Sequence, residues 1–209
     1  MYVPKPFVIA EASAIHDAID AVGLALLVTA TPTGPVATHL PLLLVRDEGA
    51  FGTLYGHVAR ANAQWQTETI GETLAVFQGP DGYVSPSWYA TKPETGKVVP
   101  TWNYRAVHAR GVVEFFDDRE RLLDVVTRLT ERQEAGRATP WSVDDAPADY
   151  IATMLGGIVG LRLPISTLQG ACKMSQNKVA RDRQGVLEGL RAEGGPSIAG
   201  LANEQLGQR

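Results

Sequence analysis

The sequence predicts a mainly β fold with peripheral α-helices, arranged as a small antiparallel barrel. Two observations carry most of that prediction. Apolar runs of strand length are joined by short polar turns such as "PTGP" and "RDEGA", the pattern of an antiparallel meander. Helical periodicity is confined to a few segments that do not alternate with the strands as βαβ units require. A third observation is an absence. No G-x-G-x-x-G follows a strand and no G-x-x-x-x-G-K-[ST] occurs, so Rossmann and P-loop nucleotide folds have no support.

The elements follow in order. "SAIHDAIDAVG" reads as a short amphipathic helix, with Ser13 as N-cap, Ile15, Ile19 and Val22 at i, i+4 and i+7, and Gly23 at its end. "LALLVTAT", "VATHLPLLLV" and "FGTLYGHV" are the first three strands. "ARANAQWQTE" is a short helix and "TLAVFQG" a fourth strand. "PDGYVSPSWYAT" holds too much Pro, Gly and Ser for regular structure. The fifth strand, "KVVPTWNYRAVHARGVVEFF", is very long, which predicts a bend or bulge near Pro100 or Gly111. "RERLLDVVTRLTERQEAG" is a helix with Leu122, Val125, Val126 and Leu129 on one face. "PADYIATML" is another helix, "GIVGLRLPI" a sixth strand and "VARDRQGVLEGLRAEG" a C-terminal helix. Residues 1–194 are expected as one domain and 195–209 as a polar tail.

Composition narrows the class of function. The 209 residues are 44% hydrophobic and 20% charged, within the ordinary range of a folded domain. The formal net charge is -4, which argues against a broad electrostatic grip on DNA. One cysteine, Cys172, permits no internal disulfide and fits a reducing, cytoplasmic setting. No apolar run approaches the ~20 residues of a membrane span, and the start of the chain lacks the apolar core of a signal peptide. The single cysteine and four scattered histidines have no zinc spacing, and no G-x-S-x-G elbow is present. No helix-turn-helix pair is evident; "NKVARDRQGVLEGLR" is the best recognition-helix candidate, and no helix leads into it by a short turn.

Polar and aromatic residues cluster in five places. His39 lies in "THLPLLL", a run that looks buried, where a histidine satisfied by backbone is the plain alternative. In "YGHVARANAQW", Gly56 would allow close approach of a ligand. His57, Arg60 and Asn62 sit where a strand gives way to a helix, and Arg60 with helix-start amides can hold an anion. The alternative is a surface arginine beside a capping Asn62. "GPDGYVSPSWY" offers Tyr83, Trp88 and Tyr89, as ligand surface or as loop anchors. "KMSQNK" crowds Lys173, Ser175, Gln176, Asn177 and Lys178 into a loop between strand and helix, as an anion site or as a solvated cap. The strand around Trp102, Asn103, Tyr104, Arg105 and His108 is rich in groups that stack and hydrogen-bond. Together these suit an aromatic, phosphorylated ligand of the flavin mononucleotide type.

The order and spacing of "MYVPKPF", "THLPLLL", "GHVARAN..W", "FQGPDGYVSPSWY", "VVPTWNY..VHARG" and "KMSQNK" resemble the PaiB family, FMN-binding negative transcriptional regulators. The resemblance extends from Met1 to about Gly194. It implies an FMN-binding split barrel similar to pyridoxamine-phosphate oxidase, FMN as cofactor, and a homodimer with flavin sites at the subunit interface. One departure stands out: Ala171 takes the place of a lysine in "GACKMSQN", leaving Lys173. On this resemblance and on residue chemistry, the phosphate is expected at Arg60, Lys173, Ser175 and Asn177, with Asn62 near the helix start. The ring is expected near His39, His57, Trp102 and Gln176. Two functions follow: a negative transcriptional regulator acting directly or through partners, and a flavin-dependent oxidoreductase of a small molecule. No general acid or base stands out, since His39, His57 and His108 have no carboxylate partner in sequence, and no catalytic residue is assigned.

Overall fold

A computed structural model describes residues 1–194 and 196–207. Its elements are β1 (Val8–Ile9), α1 (Ala12–Asp20), β2 (Ala25–Thr31), β3 (Gly34–Leu40), β4 (Leu43–Val45), β5 (Thr53–Ala59), β6 (Thr73–Val84), α2 (Lys92–Thr95), β7 (Thr101–Gly111), β8 (Glu114–Phe116), α3 (Arg119–Glu134), α4 (Ala148–Gly156), β9 (Ile158–Pro164), β10 (Thr167–Lys173), α5 (Ala180–Glu193) and α6 (Pro196–Gly207). The chain divides into two compact units. The first is Met1–Ala18, Gln78–Val107 and Gln169–Arg209; the second is Ile19–Phe77 and His108–Leu168.

In the second unit, β2 and β3 form a hairpin registered from Ala25↔Leu40 to Thr31↔Gly34. Its tight turn needs Gly34, whose φ of 120° lies where side chains are strained, and Thr31 Oγ1 donates to the Gly34 carbonyl at 2.6 Å. On its other side β2 pairs with the start of β6, and a separate antiparallel sheet has the order β4-β5-β9-β8. Helix α3 is capped by Asp118, which accepts from the Arg121 N–H at 2.9 Å. The helix buries Leu122, Val125 and Leu129 against Phe116 and Leu155, with Tyr55, Ile151 and Ile158 at the margin. Each such side chain removed from water contributes about 1.5–3 kcal/mol.

In the first unit the strand order is β1-β10-β7-β6, with Val8 opposite Ala171 and Ile9 opposite Gly170. The inner face of α5, Val186, Leu187 and Leu190, packs with Val84, Tyr89, Cys172 and Met174 and with Leu201 and Ala202 of α6. A β-carbon on Gly189 would lie 2.2 Å from the Trp88 ring, so the missing side chain of α5 is the seat of that indole.

The expected fold class holds: the strands pair antiparallel, helices accompany them, and the sheets are not closed into a barrel. The details differ in several ways. The second expected strand is two, β3 and β4, broken at Pro41–Leu42, because proline cannot donate to a ladder. The fifth is also two, with its break at Gly111, one of the two places where a bend was expected. There a β-carbon would stand 2.0 Å from the Pro164 carbonyl oxygen, and the strand resumes at Glu114. Two strands, β1 and β10, were not anticipated, and β6 continues through "PDGYV" to Val84. Ser13 lies inside α1 rather than capping it. Within the expected tail, 196–207 form α6; Gly195, Gln208 and Arg209 lie outside the described residues.

Candidate functional site

The densest group of candidate residues in the first unit lies where β10 runs out and α5 has not begun. The Lys178 N–H donates to the Ser175 carbonyl at 2.9 Å, closing a four-residue turn. Gln176 folds back to staple it: its Oε1 accepts from the Met174 N–H at 2.7 Å and its Nε2 donates to the Cys172 carbonyl at 2.5 Å. Ser175 is 3% exposed and has φ 61°, the one left-handed residue other than glycine among those described. Its hydroxyl donates to Asn103 Oδ1 at 3.2 Å. Asn103 is fully buried and its Nδ2 has no acceptor among the described residues.

Lys173 Nζ donates to Thr101 Oγ1 at 2.6 Å, and Lys178 Nζ sits 5.1 Å above the Tyr89 ring. Burial, and then the neighbouring Lys178, push the Lys173 ammonium below its usual range. The backbone N–H groups of Ser175, Gln176 and Asn177 have no acceptor among the described residues. Three backbone donors are therefore unpaired at this turn, and the Lys178 ammonium acts on that of Lys173. A ligand bearing acceptor oxygens and negative charge relieves both conditions, as a phosphate group does. The residues present fit the phosphate of FMN.

Strand alternation decides which neighbours join them. Thr101 and Asn103 share the face of β7 that meets the turn; Trp102 turns to the other. There its Nε1 donates to Asp81 Oδ1 at 2.8 Å, and its half-exposed ring meets Tyr83 edge-on at 6.2 Å. Thr101, Asn103 and Lys178 are thus residues of this group that the sequence-based assignment omitted. The alternation of "TWN" was the signal that could have found two of them.

The other four expected residues belong to the second unit. His39 is exposed on the outer side of β3, which corrects the expectation of a buried strand there: β3 is an edge strand with one face in solvent. Gly56 admits the chain's own Pro41 and Leu42; a β-carbon would lie 2.8 Å from the Leu42 side chain. Arg60 holds the end of β5 to the start of β9: Nε donates to the Gly156 carbonyl at 2.8 Å and Nη2 to the Ile158 carbonyl at 3.1 Å, with Asp117 3.8 Å away. Asn62 caps the 3₁₀ turn at 63–66 by accepting from the Gln64 N–H, and donates to Thr38, which in turn donates to the buried Gln64.

His57 differs from these three. It has no hydrogen-bond partner among the described residues, and it opens into a pocket of about 310 Å³ lined by Pro41, Leu129, Thr130, Gln133, Glu134 and Trp141. Burial holds its imidazole below the ordinary pKa. No group of three or more His, Cys, Asp or Glu side chains among the described residues is placed to hold a metal.

Known proteins resemble this chain over most of its length. A family model described as "Putative FMN-binding domain" matches residues 1–167, ending just short of the 173–178 turn. The Bacillus subtilis "Protease synthase and sporulation protein PAI 2" is 34% identical over 203 residues, 97% of this chain and 95% of its own. An uncharacterized protein of Aspergillus fumigatus is 36% identical over 87% of this chain and 88% of its own. Among solved structures, the flavocytochrome Anf3 of Azotobacter vinelandii superposes with a TM-score of 0.58 at 15% identity, over 82% of this chain and 72% of that one, a likeness of fold.

Proposed function

This chain belongs to the PaiB family of FMN-binding domains, and from that premise we propose that it is a flavin-dependent negative regulator of transcription acting through partners. Its cofactor is FMN. The observation that carries the cofactor reading on this chain's own residues is the pair of ammonium groups and the three unpaired N–H groups at the 173–178 turn. Lys173, Lys178 and the three free N–H groups bind the phosphate in this reading, Ser175, Gln176 and Asn177 shape the turn, and Trp102 serves the exposed outer face of β7. When bound, FMN supplies one- and two-electron redox chemistry. Action through partners, rather than on DNA, is supported by the net charge of -4.

The exposed Tyr83–Trp102 pair supports a further part of the proposal, a homodimer, since half-exposed aromatics of this kind are enriched at protein interfaces. Light scattering should return twice the chain mass at micromolar concentration; a monomer mass would count against it. A cytoplasmic setting is supported by the single, buried cysteine. The regulatory reading is tested by comparing transcripts in a deletion strain and in a strain carrying Lys173→Ala. Both should raise the same set of transcripts, and a deletion that raises none would sink the reading.

A second reading, flavin-dependent reduction of a small molecule, is favoured by His57, which has no hydrogen-bond partner among the described residues and lines a pocket shared with Glu134. Steady turnover of NADH by FMN-loaded protein, lost in His57→Phe, would decide for it.

A further inference from the structure

Two features of the first unit stand out beyond what cofactor binding by lysines requires. Ser175 is buried yet left-handed, a conformation that glycine adopts freely and other residues avoid. Asn103 is fully buried in a strand, where an apolar side chain would pack without penalty, and its Nδ2 has no acceptor among the described residues. The two are joined: the Ser175 hydroxyl donates to Asn103 Oδ1. Backbone conformations of this kind persist where surrounding contacts over-determine them, and they concentrate at ligand clamps.

We propose that Asn103 is a positioning residue for the phosphate of FMN: it accepts the Ser175 hydroxyl, holds that residue left-handed, and so keeps the N–H groups of Ser175, Gln176 and Asn177 free for the ligand. A Ser175 that relaxed to negative φ would rotate the peptide planes on either side of it. The turn closed by Lys178 N–H and the Ser175 carbonyl would then lose its shape. The proposal rests on reading this turn as the phosphate site. It adds a residue that makes no contact of its own with the ligand and acts through the backbone of another.

The mechanism makes an unusual demand. If Asn103 acts by holding Ser175 left-handed, a glycine at 175 removes the need for it. Apo-protein is titrated with FMN and with riboflavin, following flavin fluorescence, for wild type, Asn103→Ala, Ser175→Gly and the double variant. Asn103→Ala should weaken FMN about tenfold and leave riboflavin within about twofold. Ser175→Gly sets its own FMN baseline, and the double variant should match that baseline rather than fall below it by the tenfold of Asn103→Ala. A purely structural role for Asn103 would weaken both flavins alike and would not be rescued by glycine. Unchanged FMN affinity in Asn103→Ala, or the same loss in the double variant relative to Ser175→Gly, overturns the proposal.

Should Asn103→Ala fail to fold, Ser175→Val asks the question from the other side, because a β-branched residue resists the left-handed region. FMN must then weaken and riboflavin hold; FMN affinity equal to wild type overturns the proposal. Wild-type protein that binds FMN and riboflavin equally also overturns it, while leaving flavin binding intact. Wild-type protein that binds neither removes the cofactor reading itself.

Discussion

At the scale of single residues, the turn after β10 makes its own prediction about charge. A charge-assisted hydrogen bond is worth about 1.5–3 kcal/mol, so Lys173→Ala should weaken FMN roughly ten- to a hundredfold. Riboflavin, which has no phosphate, should bind Lys173→Ala nearly as well as wild type; equal loss of both would move the phosphate elsewhere. The same two titrations bear on Arg60, whose guanidinium already serves two carbonyls. Arg60→Ala should lower the melting temperature, and a loss of FMN over riboflavin in that variant would place the phosphate on Arg60 as well. His57 carries a prediction about pH. Burial lowers its folded pKa below 6.5, so on acidification the unfolded chain takes up the proton first. The stability this contributes is complete above pH 6.5 and is lost as pH falls through the folded value. Urea midpoints between pH 7.5 and 5 should therefore fall in wild type and be flatter in His57→Phe; parallel slopes would show that His57 does not titrate with folding. Glu48 adds a second window lower down. Burial raises its pKa, but hydrogen bonds from Arg162 and Tyr55 outweigh that and leave it below 4.5, so its contribution is lost only as pH falls past that value.

At the scale of elements, α5 sets helix propensity against packing. Gly189→Ala gains up to about 1 kcal/mol of intrinsic helix stability. The added β-carbon, however, would stand 2.2 Å from the Trp88 ring, and that indole has to move out of its seat. Overpacking of this kind costs about 1–3 kcal/mol, so the variant should unfold at lower urea than wild type; a higher midpoint would show that Trp88 re-seats freely. Elements with a clean period were legible in the sequence. The α3 face of Leu122, Val125 and Leu129 and the β2–β3 hairpin are where their patterns put them. Elements without one were not. "TLQGACK" has neither alternation nor β-branched residues beyond Thr167, and it becomes β10 between β1 and β7, partners far away in sequence. The Pro- and Gly-rich end of β6 is strand because Gly79 lets the chain run close against Arg105. The candidate site was legible as chemistry and not as geometry. "KMSQNK" announced its donors, yet nothing local shows that Ser175 turns left-handed or that Asn103 lies beneath it.

At the scale of the whole chain, a net charge of -4 sets the expectation for nucleic acid. Strong duplex binding needs several cations to displace counterions from phosphates, so promoter and random DNA should shift equally weakly in a gel and both should be released at about 0.2 M salt. A promoter-selective shift that survives that salt would mean the chain reads DNA by itself. One buried atom, meanwhile, gives access to motions that no static description reports. Cys172 is the only thiol, its side chain lies in the packed interior of the first unit, and burial, with Glu204 beside it, pushes its pKa up to about 11. A disulfide reagent in solution meets almost no thiolate at neutral pH and no open path to it. Chromogenic labelling therefore proceeds at the frequency with which that interior comes apart, which turns the cysteine into a clock for local opening. If flavin fastens the turn that follows β10, the clock should slow as FMN is added, and the ratio of the two rates would read the fastening as an equilibrium constant.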